Sequence, residues 1–365
     1  MLQKKEFLKQ LTKLVGIPTV TSNLEANAQA IEYIASLISP KADIQIIQNG
    51  QAQILIASNK KTLAPEMGYM VHVDVVAASE ELFSLRQDNN LVYGRGVSDM
   101  KFSIPLGIAL LNEIIEKQST LSFSFVVTTD EEIGGFDGGA YLARVLKWRP
   151  QALIVPDGGD NLQFVRASKG VAQFLVESSG ISAHASRVWK GKNAITPLAH
   201  LITELEARYK KNNATQSWLT TVNFGKISGG ISTNQVCDQA VLEIDFRYPE
   251  TDSFERIMQE LTEIMQEYGD QVKITPLSTG LPTATDPELP VVKQFLRVFQ
   301  DTYQQEIIVQ DNFGASDARH FAEYSIPILM IKPVGGDIHM ESEWLDVDST
   351  MTFYQALRRF VQLGL

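Results

Sequence analysis

Five stretches of this 365-residue sequence carry residue types that hold cations or move protons. The first is Met70-Val71-His72-Val73-Asp74. On a strand, residues i and i+2 share a face, so His72 can ligate a metal while Asp74 accepts the hydrogen bond of its other ring nitrogen. Taken alone, that pair reads as a half-buried histidine satisfied by a neighbouring acid. The second, Y-G-R-G-V-S-D-M-K over 93–101, runs into a predicted helix. Asp99 there is either a first-turn acid or, having two oxygens, a bridge between two cations. The glycine spacing matches neither the dinucleotide nor the P-loop fingerprint, so nucleotide binding is excluded at this place. The third, T-T-D-E-E-I-G-G over 128–135, follows an apolar strand. Three successive acids, Asp130, Glu131 and Glu132, repel one another unless a cation or proton is present. Consecutive residues project differently, so one glutamate can bind metal while the other stays free. Asp157 in P-D-G-G and His339 in G-G-D-I-H-M-E-S-E complete the set; each alone is a turn or loop residue.

Jointly they say more. His72, Asp99, Glu132, Asp157 and His339 are two imidazoles and three carboxylates, a mixed donor set that suits zinc, manganese or cobalt. With one carboxylate bridging, five donors give each of two metals three protein ligands and leave room for a shared water. Paired metals of this kind clamp a hydrolytic transition state. Glu131, left over, then has the task of taking the proton from that water.

All five stretches fall where a predicted strand or its loop ends, the place where open α/β sheets bind ligands. Helical spacing is clear in Phe7, Leu8, Leu11, Leu14 and Val15, in Ile31 to Ile38, and over Ser103–Lys117. Short apolar runs at Ile54-Leu55-Ile56, 67–75, 123–128 and 152–155 read as buried strands. This alternation predicts a three-layer α/β/α sandwich with a mostly parallel sheet. From about residue 170 the order becomes β-α-β-β-α-β, the ferredoxin-like unit, and the proline-rich stretch 276–290 reads as a return linker. The expected organisation is a first catalytic segment over 1–169, an inserted α+β domain over 170–280, and a second catalytic segment over 281–365.

Composition agrees with a large folded chain. Hydrophobic residues make up 44% and charged residues 21%, and the formal net charge is −11. That acidity argues against nucleic acid or an anionic membrane as partner. The single cysteine, Cys237, excludes an internal disulfide and any cysteine-based zinc module. Without a signal peptide or an apolar run of about 20 residues, a cytoplasmic protein is expected. His200 and His320 lie on predicted helices and read as structural or surface residues.

The motifs resemble the superfamily of dizinc amidohydrolases and peptidases that includes aminoacylase, acetylornithine deacetylase, succinyl-diaminopimelate desuccinylase and carboxypeptidase G. The resemblance spans essentially the whole chain. It rests on H-V-D at 72–74, G-R-G-V-S-D-M-K at 94–101, T-D-E-E-I-G-G at 129–135, P-D-G-G at 156–159, S-A-H-A-S at 182–186, D-F-R ending at Arg247, G-A-S-D-A-R at 314–319 and H-M-E-S-E at 339–343. It implies a zinc-peptidase catalytic domain with a lid/dimerisation domain inserted, and two zinc ions per subunit. His72 and Asp157 would hold one metal and Glu132 and His339 the other, with Asp99 bridging. Glu131 would be general base and then acid, and Asp74 would orient the His72 side. His184 would serve the partner's active site of a homodimer as an oxyanion donor. Asn234 and Arg247 would contact substrate, Arg247 through a carboxylate, and Gly314, Ala315 and Ser316 would line the pocket. As simpler roles, Arg247 pairs with Asp245 and His184 caps a turn. Phe102, Ala77 and Cys237 depart from the family pattern without touching a ligand.

The expected activity is hydrolysis of the amide of an N-acyl amino acid or small peptide bearing a free carboxylate. A di- or tripeptide exopeptidase has the same chemistry and the same motifs. A non-catalytic binding protein on this scaffold would have no need of a free base beside the metals.

Overall fold

The computed structural model describes residues 1–214 and 217–364. It divides into two compact units, Met1–Ala167 with Ala284–Leu365, and Ser168–Thr283.

In the first unit, largely apolar strands build a sheet that is buried on both faces except along the Asp43–Asn49 edge. Its order is Asp43–Asn49, Ala52–Ser58, Phe123–Thr128, Met67–His72, Ala152–Val155, Ile328–Met330. The last four run parallel, and the first two are an antiparallel hairpin added at one edge. Because side chains alternate along a strand, each strand feeds two cores. Leu55, Tyr69, Val71, Phe125, Val127 and Ile154 pack with the helices Lys4–Val15, Leu24–Leu37, Ser103–Glu116, Pro290–Tyr303 and Val347–Leu363. Ile54, Ile56, Met70, Val126, Leu153 and Val155 pack on the other face with Leu142, Trp148 and Phe321. This is a three-layer arrangement. Helix Ser103–Glu116 approaches closely at Gly107, where an added Cβ would lie 2.5 Å from the Phe125 ring and 2.9 Å from Tyr69. Among the described residues, no helix is long and apolar enough to cross a membrane.

The second unit is a four-stranded antiparallel sheet in the order Thr221–Gly229, Gln239–Tyr248, Gly170–Ser179, Val272–Gly280, with helices Ile195–Asn213 and Phe254–Met265. Phe174, Val176, Leu242, Ile244 and Phe246 face Leu198, Leu201, Leu205, Ile257 and Leu261. The chain order is β-α-β-β-α-β, as in the ferredoxin-like unit.

The structure adds short strands at Arg86–Asp88, Leu91–Tyr93, Gln163–Ser168 and Trp344–Asp346, and two further differences concern sheet edges. The stretch after Thr275 is not a plain linker: Val272–Gly280 continues as a strand through Pro276, with a register shift between Pro276 and Ser278. Proline is tolerated there because the strand lies at the sheet edge, where its missing N–H breaks no ladder. Asp43–Asn49 is a strand that its mixed polar and apolar residues concealed, half exposed at the opposite kind of edge in the first unit.

Candidate active site

The parallel strands of the first unit deliver the site residues from their carboxyl ends. His72 is the last residue of Met67–His72, Asp130 to Glu132 follow Phe123–Thr128, and Asp157 follows Ala152–Val155. Asp99 lies in the turn before helix Ser103–Glu116, and His339 lies in the loop before strand Trp344–Asp346.

Asp99 stands between two groups. Its Oδ1 is 3.2 Å from His72 Nε2, and its Oδ2 is 3.2 Å from His339 Nε2. His339 Nε2 is also 3.1 Å from Glu132 Oε2. Donor atoms of His72, Asp99 and Asp157 lie within 4.8 Å of one another, and so do those of Asp99, Glu132 and His339. Two triads thus share one carboxylate, a geometry in which two cations fit side by side.

The electrostatics point the same way. Burial, with the charge of Asp99, pushes the Asp157 carboxyl up to about 7. Burial and the nearby charges of Asp317 and Asp157 raise Glu131 well above the usual carboxylate range, although His72 opposes them. Hydrogen bonds to Asp99 and Glu132 raise His339 to about 10. Burial works against a charged His72, yet its bonds to Asp74 and Asp99 hold it well above the ordinary imidazole range. Crowded acids that must borrow protons from histidines are what a site built for dications looks like without other positive charge.

The carboxylates of Glu131 and Asp157 make no hydrogen bond or ion pair among the described residues, and only Glu131 lies outside both triads. Its backbone N–H is held at 3.2 Å by Asp74 Oδ1, while Glu132 N–H donates to Asp74 Oδ2 at 3.2 Å and Thr21 Oγ1 to the same oxygen at 2.9 Å. Asp74 therefore orients the Glu131-Glu132 segment more than the His72 ring. The acceptor for His72 Nδ1 is the Asp74 main-chain carbonyl at 3.0 Å, with the carboxylate farther off at 3.5 Å.

A clasp absent from the expected set ties together the loops that carry Asp99 and His339. Glu343, 1% exposed, accepts from Arg95 Nη1 at 2.6 Å and from the backbone N–H groups of Gly96, Ser98 and Asp99 at 3.0, 2.9 and 3.2 Å. Arg95 Nη2 in turn donates to the His339 carbonyl at 3.2 Å. One buried ion pair thus positions Asp99 and His339 together. Glu343→Gln keeps the shape but leaves Arg95 without its charge partner. It is expected to cost about 3–5 kcal/mol of stability and to weaken cation binding at the His339 triad roughly 10–100-fold. Thermal unfolding and metal titration check both; unchanged cation affinity would remove the clasp from the site.

His320 is deeply buried, not a surface residue: its Nε2 donates to the Gly134 carbonyl at 3.0 Å beside Asp317. Ser316 is buried and caps the following turn through Ala318 N–H, while Gly314 is exposed and Ala315 half-buried.

Comparison with known proteins places this arrangement. The Peptidase dimerisation domain family matches residues 166–273. A succinyl-diaminopimelate desuccinylase of Dechloromonas aromatica is 25% identical over 84% of this chain and 85% of its own. An acetylornithine deacetylase of Yersinia pseudotuberculosis is 30% identical over 80% of this chain and 76% of its own length. The chain belongs to the M20 family. It is accordingly a hydrolase of the M20 metallopeptidases and deacylases. The fold is that of an M20 metallo-carboxypeptidase from Sulfolobus solfataricus, with a TM-score of 0.82 at 18% identity over 98% of this chain and 99% of the other. It is shared with a dinuclear metal-binding M20 peptidase of Bacillus subtilis, with a TM-score of 0.67 at 15% identity over 99% and 98% of the two chains.

The second unit of this M20 chain carries the remaining candidates. His184 and Gln235 form a β-bridge, and Ala185 N–H donates to the Asn234 carbonyl at 2.8 Å, so the His184 and Asn234 loops run side by side. His184 Nδ1 accepts from Ser186 N–H at 3.2 Å. In the neutral ring its proton then sits on Nε2, which leaves a donor on the exposed side chain. Asn234 Oδ1 accepts from Ser232 Oγ at 2.6 Å. Arg247 holds Asp245 by Nε at 2.7 Å and Nη2 at 3.1 Å, so the simpler pairing is realised within this unit.

Proposed function

We propose that this chain hydrolyses the amide bond of an N-acyl amino acid that bears a free carboxylate, at two zinc ions held by His72, Asp99 and Asp157 and by Asp99, Glu132 and His339. The observation that carries the reading is the pair of triads sharing Asp99 with an unengaged Glu131 carboxylate beside them. The named deacetylase and desuccinylase relatives supply the acyl amino acid as the substrate class.

A pair of divalent cations bound there supplies Lewis acidity toward the amide carbonyl and toward water. The rest falls to the chain. The Glu131 carboxylate takes one proton from the attacking water and returns it to the leaving nitrogen, and the water's second proton passes from the new carboxyl to the amine or solvent, so that an amine and a carboxylate are the products. Asp74 holds Glu131 and Glu132 in place through their backbone N–H groups. His184 Nε2–H donates to the developing oxyanion of the partner subunit's site in a homodimer, a contribution of roughly 2.7–4 kcal/mol for one donor. Arg247 and Asn234 hold the substrate's carboxylate end, and Gly314, Ala315 and Ser316 line its pocket.

The reading is tested by free-amine release from N-acyl amino acids and dipeptides, on chelated protein with and without added zinc. Zinc-restored release from acylated members supports it, and release from dipeptides alone moves the activity to an exopeptidase. No release at all would overturn it. Action across a dimer has its own test. Inactive Glu131→Gln and inactive His184→Ala chains, mixed after partial unfolding, are expected to recover up to about a quarter of wild-type activity, because random pairing makes half the dimers hybrids with one intact site each. No recovery would place His184 in its own subunit's site or outside catalysis.

A further inference from the structure

Lys332 is not part of any motif above, and its surroundings are unusual for a lysine. It is 9% exposed, and its ammonium makes no hydrogen bond or ion pair among the described residues; only its main-chain carbonyl is used, by Leu162 N–H at 3.0 Å. Its position follows from the sheet. Met330 pairs with Val155 in parallel register, Lys332 lies two residues beyond the first and Asp157 two residues beyond the second. Met330 also backs the turn after Asp157: a Cβ added at Gly158 would meet Met330 Sδ at 3.1 Å and Asn312 Nδ2 at 3.0 Å. The charge of Lys332 is felt at Asp157, but the two form no salt bridge.

The Lys332 stem is buried while its ammonium reaches solvent with no protein anion beside it, so the group is held in place and free to take an anion from a ligand. Asp157 does not supply it once that carboxylate is committed to a cation, because the cation then repels the ammonium as well. The anion that pairs with this ammonium then comes with the ligand. We propose that Lys332 is a specificity-determining residue that binds a second carboxylate of the substrate on the Asp157 side of the site. This rests on the hydrolase reading above and narrows it: the substrate is an N-acyl amino acid carrying a carboxylate beyond the α-carboxylate, either on the acyl group or on the amino-acid side chain.

The test is calorimetric binding to the zinc-loaded full chain in a Glu131→Gln background, where turnover does not blur the reading. N-succinylglycine against N-acetylglycine probes an acyl-side carboxylate, and N-acetylaspartate against N-acetylalanine probes a side-chain carboxylate. With Lys332 present, the dianion of one pair is expected to bind about 10–100-fold tighter than its monoanionic partner. Lys332→Met should abolish that preference, and Lys332→Arg should keep most of it. Lys332→Gln serves if the methionine variant fails to fold. No preference in the parent, or a preference unchanged in the uncharged variants, overturns the proposal, as does equal weakening of both members of a pair. Turnover of the same compounds by protein with Glu131 intact separates the two claims. Preference without turnover sinks the hydrolase reading and leaves Lys332 an anion-binding residue. Turnover without a Lys332-dependent preference sinks only the present inference.

Discussion

Glu131→Gln is expected to lower turnover by roughly 10²–10⁴-fold or more while leaving both cations in place. The amide is isosteric, and the parent carboxylate has no bond among the described residues whose loss would disturb the site. The segment that carries it is held by its backbone, through Asp74. What the variant lacks is a group that can take a proton from water and return it to nitrogen. Metal content, thermal stability and turnover measured on one preparation decide the matter. Normal turnover in a metal-replete variant would remove Glu131 from the chemistry, and loss of metal would make it a ligand.

Asp99→Asn should have the second large effect, for a different reason. Asp99 is the one carboxylate common to both triads, with one oxygen toward His72 and the other toward His339. An asparagine offers one oxygen and turns an N–H donor toward the other side. At most one cation per chain is expected to remain, with turnover below detection. The protons tell the same story. In the metal-free wild type, Asp99 and Glu132 raise His339 to about 10, so its protonated form stabilises the fold fully below its ordinary value and loses that contribution as pH rises through about 10. Cations must displace that proton. Zinc uptake near pH 7 by the wild type should therefore release protons, seen by calorimetry in two buffers of different ionisation enthalpy. Two cations bound per chain in Asp99→Asn would refute the bridging role.

How much of this was legible in the sequence depends on which force places each residue. The parallel core strands announce themselves because both faces are buried, so most positions are apolar, and the acids and histidines that end them stand out. His72, Glu132 and Asp157 come together for that reason, while the turn before helix Ser103–Glu116 and the loop before Trp344–Asp346 bring in Asp99 and His339. Asp43–Asn49 and the continuation through Pro276 did not announce themselves, since an edge strand needs neither uniform burial nor a full set of N–H donors. Glu343 and Arg95 were hidden differently. Both lie inside motifs whose other members claim attention, and nothing local reveals that a glutamate will accept three backbone N–H groups from a turn 245 positions away. Lys332 is the same case in sharper form: a charged residue beside an apolar strand reads as a surface position, and only the parallel register brings it level with Asp157. Asp74 was read as a partner of His72 because period-2 spacing sees neighbours on one strand, whereas its carboxylate reaches Glu131 and Glu132 from the next.

The first unit is assembled from two pieces of chain with the whole of Ser168–Thr283 between them. During synthesis, this sets an order in time. His72, Asp99 and Asp157 have all left the ribosome before the insertion begins, whereas His339 and Glu343 emerge only after it. At about 5–20 residues per second, the insertion alone occupies on the order of ten seconds. Through that interval the Ala152–Val155 strand has no Ile328–Met330 neighbour, and its bare edge is open to pairing with other chains. Asp99 meanwhile lacks the Glu343 side chain that will fix its turn. A nascent chain can thus offer a cation one triad but not the pair, and a product cut short before His339 has the donors for a single metal.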